Sequence, residues 1–222
     1  MKKEKTNSPN KKRCKLCFNE IKDNSLVSFV NPNLSLCQQC YKKLIPKFIE
    51  FKVGKYKAIS IYQYDEGVKS LLYQLKGCFD IEIACIFLDR YCQYYRLIYH
   101  DYIVVPIPSF QLDDEIREFN HVKEMFSFLK LPIQKAIIKT EHFKQADHNR
   151  HERKEIGKYL QLIDGVNLSN KKVLVVDDVY TTGSTMKAAI KLIESLHPKD
   201  IKIMVMSKTK DISPFRSEIL KY

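Results

Sequence analysis

Two adjacent carboxylates, Asp177 and Asp178, follow the apolar run 173–176, and Thr181, Thr182, Gly183, Ser184 and Thr185 come close behind. Carboxylates accept hydrogen bonds from sugar hydroxyls or hold a hydrated metal ion. Hydroxyl donors and a glycine backbone suit a phosphate, above all at a helix N-terminus, where unpaired N–H groups carry partial positive charge. A phosphorylated sugar satisfies both halves. A P-loop does not fit, because only one glycine is present and no lysine follows it. The plain alternative is an acidic strand end followed by Ser and Thr caps on a helix.

A second set of residues suits a metal. Cys14, Cys17, Cys37 and Cys40 read C-x2-C-x19-C-x2-C. Each CxxC turn can aim two thiolates at one tetrahedral ion, so the spacing predicts a zinc ribbon. Residues 25–30 and 33–37 would supply its hairpin strands, with Asn31 and Pro32 in the turn. Four thiolates leave no open position, so the zinc would be structural. Cys78, Cys85 and Cys92 recur every seven residues. They read as one buried helix face rather than a second metal or redox site.

The elements that must position these groups follow from periodicity. Residues 173–176 read as a strand buried on both faces. From Ser184 onward, Met186, Ala189, Ile190, Ile193 and Leu196 recur at helical spacing. The acid pair therefore lies at the carboxyl end of a strand and the hydroxyls open a helix, where open α/β sheets bind ligands. Upstream, 58–64 reads as a strand, Glu66 to Lys76 as an amphipathic helix, 80–99 as a second helix and 102–109 as a buried strand. Phe119, Val122, Phe126 and Leu129 share a helix face, 135–140 is a short strand, 141–158 a polar loop, and 201–208 the last strand. This alternation predicts a doubly wound parallel sheet.

The chain has 222 residues and a net charge of +12. Residues 1–57 hold 14 Lys and Arg against 4 Asp and Glu, so +10 of that charge lies there. Such a block suits a polyanion, or at 1–13 a solubilising tail. No apolar stretch reaches membrane-spanning length and no signal-peptide core follows the basic start, so a cytoplasmic protein without a membrane span is expected. The expected organisation is a basic tail at 1–13, a four-cysteine zinc-ribbon region at 14–55 and an α/β domain at 56–222.

The stretch 177–185 resembles the phosphoribosyl-pyrophosphate loop of type I phosphoribosyltransferases. That resemblance implies that Asp177 and Asp178 bind the ribose 2′- and 3′-hydroxyls and that Thr181 to Thr185 cradle the 5′-phosphate. It widens to the ComF family of competence proteins. A four-cysteine ribbon, a helix ending in Leu75 and Lys76, the run "VVPIPS", Arg117-Glu118-Phe119-Asn120-His121, and Gln145 with Glu152 and Arg153 stand in that family's order. The implied fold is α/β, a Rossmann-like parallel sheet of the type I phosphoribosyltransferase fold with a small N-terminal zinc ribbon. Arg117 and Lys76 become candidates for the pyrophosphate side, and Gln145 and Arg153 for the flexible loop. Three positions depart from the family. Glu118 and His121 replace Gly and Gln, and Ile156 replaces Asn. Acids at Asp113, Asp114, Glu115 and Glu118 surround Arg117, in a loop that is either solvated or part of the pocket.

Two functions follow. One is a phosphoribosyltransferase that releases pyrophosphate with the aid of Mg²⁺. Salvage relatives carry an Asp where Thr181 stands, so that general base is missing, no nucleobase clamp is evident, and the catalytic residues stay unassigned. The other, which the ComF resemblance favours, is a protein of natural transformation that handles incoming single-stranded DNA and binds or senses a phosphoribosyl pyrophosphate-type ligand. Its implied partners are single-stranded DNA and other competence proteins, including a DNA-translocating ATPase. The basic region could track phosphates, while Tyr91, Tyr94, Tyr95, Tyr99 and Tyr102 read chiefly as core and helix surface.

Overall fold

The computed structural model describes residues 12–21, 34–109, 111–139 and 159–210. The proposed ribbon hairpin at 25–37 lies largely outside them, as do Gln145, Glu152, Arg153 and Ile156.

Helix α1 (Gln38–Tyr41) follows the second cysteine pair, and strands β1 (Ile49–Val53) and β2 (Tyr56–Gln63) form an antiparallel hairpin turning at Gly54. Helix α2 (Glu66–Gly77) starts where the Asp65 side chain accepts the Val68 N–H at 2.9 Å, and it buries Val68, Leu72 and Leu75. A 3-10 helix (Ile81–Phe87), α3 (Cys92–Ile98), β3 (Tyr102–Pro106), α4 (Gln111–Arg117) and α5 (His121–Ser127) follow. The chain continues through β4 (Ile137–Lys139), β5 (Leu160–Leu162), β6 (Lys172–Tyr180), α6 (Ser184–Glu194) and β7 (Asp200–Lys208).

The main sheet has the order β1-β2-β7-β6-β3, parallel except for β1. Strands β4 and β5 form a separate antiparallel pair. Alternation along β6 sends Leu174 and Val176 into a core with α2, the 3-10 helix and α5. Val173 and Val175 enter a second core with Met186, Ala189, Ile190 and Ile193 of α6. Helices thus pack on both faces of the sheet, as in a doubly wound arrangement.

Three expectations are corrected. Residues 80–99 are not one helix. Ile83 to Leu88 are six consecutive buried residues. A helix with one solvated face cannot bury all of them, and the segment forms a tight 3-10 turn wedged inside the first core before α3 begins. The three later cysteines share no buried face: Cys78 is exposed beyond the end of α2, and only Cys85 is buried. Its thiol lies 3.0 Å from the Ser35 hydroxyl. The acids around Arg117 sit in and beside helix α4, not in a loop.

Candidate functional site

Strand β6 runs past its buried stretch and carries Asp177 and Asp178 on to the sheet's carboxyl edge. Successive strand residues point to opposite faces, so the two acids part company. Asp178 falls on the side of α2 and α5. Its Oδ2 accepts from Lys76 Nζ at 2.7 Å and lies 3.1 Å from His121 Nε2. Its Oδ1 accepts the Val179 N–H at 2.6 Å. Asp177 falls on the other side and accepts the Asp178 N–H at 2.9 Å.

Their electrostatics diverge accordingly. Burial works against charge on Asp178, but the hydrogen bond from His121 and the charge of Lys76 outweigh it and hold the carboxyl well below its ordinary range. Burial and the neighbouring Asp178 push Asp177 well above that range. One carboxylate is favoured as an anion, and charge on the other is disfavoured.

A network supports the pinned acid. Arg117, nearly buried, donates through Nε to the Lys76 carbonyl at 2.9 Å and through Nη1 to Asp114 at 3.0 Å, and Nη1 also lies 3.1 Å from His121 Nδ1. Asn120 bonds Asp114 at 2.7 Å and caps α5 through the Lys123 N–H at 2.8 Å. Asp114 is therefore engaged as a bracket for Arg117 and Asn120. Glu118 holds φ 63°, the left-handed region in which a side chain is strained. Glu118 stands where the resemblance expects glycine.

The loop beyond the pair is open. Thr181 and Thr182 are exposed. Gly183, at φ 73°, makes the N-cap of α6, and a Cβ there would run into the Tyr180 hydroxyl. Thr182 Oγ1 lies 3.0 Å from Ser184 Oγ, so hydroxyls cluster over the helix N-terminus. Beside the loop after β3, a cleft of about 690 Å³ is lined by Pro108, Ser109, Glu115, Glu118, Lys135 and Lys139 among others. Burial lowers Lys139, against the pull of Asp113 and Asp177. The structure thus brings Lys76 and His121 to Asp178, places Arg117 behind them, and sets the hydroxyl loop directly after the acid. Lys76 and Arg117 contact the acid-pair network itself. The sequence placed Asn120 only within the Arg-x-Phe-Asn string and left Asp114 as either a solvated or a pocket acid; their roles as brackets for Arg117 and α5 were not legible there.

The four cysteine sulfurs lie within 4.8 Å of one another, a donor set and spacing that fit one tetrahedral metal ion. The first pair sits in a tight turn, with Cys14 N–H donating to Asn19 O at 2.8 Å and an Arg13–Glu20 bridge at its mouth. The second pair brackets the start of α1. Burial opposes ionisation of Cys14, but backbone hydrogen bonds from Cys37, Cys17 and Leu16 bring it down to about 7. Burial and the other thiols push Cys40 up. Cys14 and Cys40 belong to the first core, and the Ser35 N–H donates to Asp89 at 2.7 Å, so this segment is built on to the sheet domain.

Residues 122–214 match the family model described as Phosphoribosyl transferase domain. Competence protein ComFC of Streptococcus pneumoniae is 27% identical over 146 residues, which is 64% of this chain and 64% of that protein's length. A hypoxanthine phosphoribosyltransferase from Staphylococcus aureus shares 15% identity at a TM-score of 0.37, covering 59% of this chain and 75% of that one. A hypoxanthine-guanine phosphoribosyltransferase from Bacillus anthracis shares 14% at a TM-score of 0.40, covering 59% and 72%. The matched residues span α5 to the end of β7 in a mostly parallel sheet, and a four-cysteine cluster precedes them in the chain. Among the described residues no helix is long and apolar enough to cross a membrane.

The split of the acid pair gives opposite pH signatures. A carboxyl with a raised folded pKa stabilises below its unfolded pKa and loses that contribution as pH rises through the folded value. A depressed one stabilises above its unfolded pKa and loses it as pH falls through the folded value. Without ligand, Asp177→Asn should therefore melt higher than the parent at about pH 7, and Asp178→Asn lower, with the Asp177 gap closing towards about pH 3 and the Asp178 gap only beginning to narrow there. Thermal melts across that range test this, and shifts of the same sign for both variants would contradict it.

Proposed function

We propose that this chain, a relative of ComFC with a phosphoribosyl transferase domain, handles incoming single-stranded DNA during natural transformation and binds or senses a phosphoribosyl pyrophosphate-type ligand. The observation that carries the ligand reading is the acid pair at the end of β6 set directly before the glycine-capped N-terminus of α6. Asp177 and Asp178 would take the ribose 2′- and 3′-hydroxyls, and Thr181 to Thr185 the 5′-phosphate. Mg²⁺, when bound with the ligand, would neutralise pyrophosphate charge. Lys76, 40% exposed, can leave Asp178 for the pyrophosphate, with Arg117 behind it. Gln145 and Arg153 stand as further candidates on the ligand side.

The DNA half is supported by the likeness to ComFC and by the basic charge concentrated in residues 1–57. The setting would be cytoplasmic, beside other competence proteins including a DNA-translocating ATPase. The thiol cluster would hold structural Zn²⁺, since four soft thiolates leave no position for substrate. A second reading, an active transferase, is favoured by the intact ribose-phosphate loop. Thr181, where salvage enzymes have an acid, weighs against it, because a threonine cannot take a base proton near neutral pH.

Calorimetric titration with phosphoribosyl pyrophosphate and Mg²⁺ should show one site per chain. The double variant Asp177→Asn, Asp178→Asn should bind about two orders of magnitude more weakly or worse, since it loses two charge-assisted hydrogen bonds of about 1.5–3 kcal/mol each. Unchanged binding in a folded double variant would remove the loop from the ligand site. Pyrophosphate release with any nucleobase would favour the transferase. Elemental analysis of protein purified without a metal-affinity tag should find one zinc per chain, and less than about half an equivalent in folded protein would refute the zinc assignment.

A further inference from the structure

At the opposite end of the strands the sheet is left partly uncovered. Helix α3 stops short of the β1–β2 edge, and a groove of about 820 Å³ lies between them. Its floor carries three lysines. Lys52 and Lys57 are register partners across the hairpin, and Lys202 precedes Ile203, which pairs with Ala58. None of the three side-chain ammonium groups has a hydrogen-bond or ion-pair partner among the described residues. One acid, Glu50, shares the lining, so it carries a net positive charge.

The wall is aromatic. Tyr94 packs edge-on against Tyr95 at 5.2 Å, and Tyr95 stacks on Tyr99 at 6.2 Å. Phe48 meets Tyr91 edge-on at 5.1 Å across the groove mouth. Tyr95 is 3% exposed and anchors the row, while Tyr94 at 60% and Phe48 at 41% present ring surface outwards. Rings held this way reach solvent with little rotamer freedom left to lose on binding.

Unpaired ammonium groups beside presented ring faces match one chemistry, a polyanion with unstacked bases. We infer that this groove binds single-stranded nucleic acid, with Lys52, Lys57 and Lys202 on the backbone phosphates and Tyr94 and Phe48 stacking on bases. The inference rests on the nucleic-acid half of the proposed function and gives it a location. The groove lies at the amino ends of β2 and β7, whereas the acid pair closes β6 at its carboxyl end. A strand and a ribose-phosphate ligand can therefore be held at once. A duplex hides its base faces and gains nothing from the tyrosine row. A second copy of the chain would oppose lysines to lysines on a molecule already at +12.

Fluorescence anisotropy with labelled oligothymidylate at several salt concentrations tests the placement on the full chain. Tyr94→Ala should bind roughly tenfold more weakly with the parental salt slope, and Tyr94→Phe should restore affinity. Replacing Lys52, Lys57 and Lys202 together by Gln should lower the slope of log affinity against log salt by about two, at about 0.7 per phosphate contact. All four side chains lie in the open groove, so unchanged thermal melts should accompany these losses. If the parent binds but both sets of variants match it in affinity and slope, the groove is not the site. If the parent does not bind at all, the nucleic-acid half of the proposed function fails and the inference with it. A dimer in sedimentation that Tyr94→Ala dissociates, with DNA binding untouched, would assign the groove to self-association instead.

Discussion

The contact between Lys76 and Asp178 joins the end of α2 to the end of β6 across 102 residues of chain, and His121 brings the start of α5 to the same carboxylate. Three elements meet at one oxygen. Asp178 is the more buried end of this arrangement and Lys76 the solvated one, so losing both Lys76 and His121 would strand a largely buried carboxylate. Because Asp178 is held, its neighbour on the opposite face of the strand is left with burial and a like charge. The acid pair is thus two groups in different electrostatic settings, one bracing the site and the other proposed to meet the ligand.

That division suits a site that must stay formed while empty. Lys76 is the most solvated member, and the anion it would meet beside the acid pair is the proposed pyrophosphate group. Arg117, deeper and fixed by Asp114 and the Lys76 carbonyl, keeps the underlying turn in place whatever Lys76 does. The thiol cluster acts on the same core from the far side. Cys14 and Cys40 share it with Leu72 and Leu75 of α2, the helix that delivers Lys76.

How much of this could be read in the residues depended on range. Strand β6 and helix α6 announce themselves through an unbroken Val-Leu-Val-Val run and a clean helical period, and the paired CxxC spacing brings four sulfurs together. Local signals of that kind survive folding. The 3-10 helix was misread because an apolar run buried on every side has no period to betray its geometry. Strand β1 was missed because its sequence IEFKV sits on a sheet edge with its polar residues outward, inside a stretch assigned to the ribbon. β5 has three residues and gains its shape only from β4. The role of Asp178 was half legible: its type and strand position were plain, but partners drawn from α2 and α5 exist only in three dimensions.

The most direct test of the divided pair is a carbon-detected NMR titration of the two side-chain carboxyls in the ligand-free protein. Asp177 should change ionisation above the ordinary aspartate range and Asp178 should stay ionised to the lowest pH at which the fold persists. Addition of phosphoribosyl pyrophosphate with Mg²⁺ should then draw Asp177 into its ionised form near neutral pH. Two carboxyls titrating together near about 4, or an order reversed between them, would contradict the account.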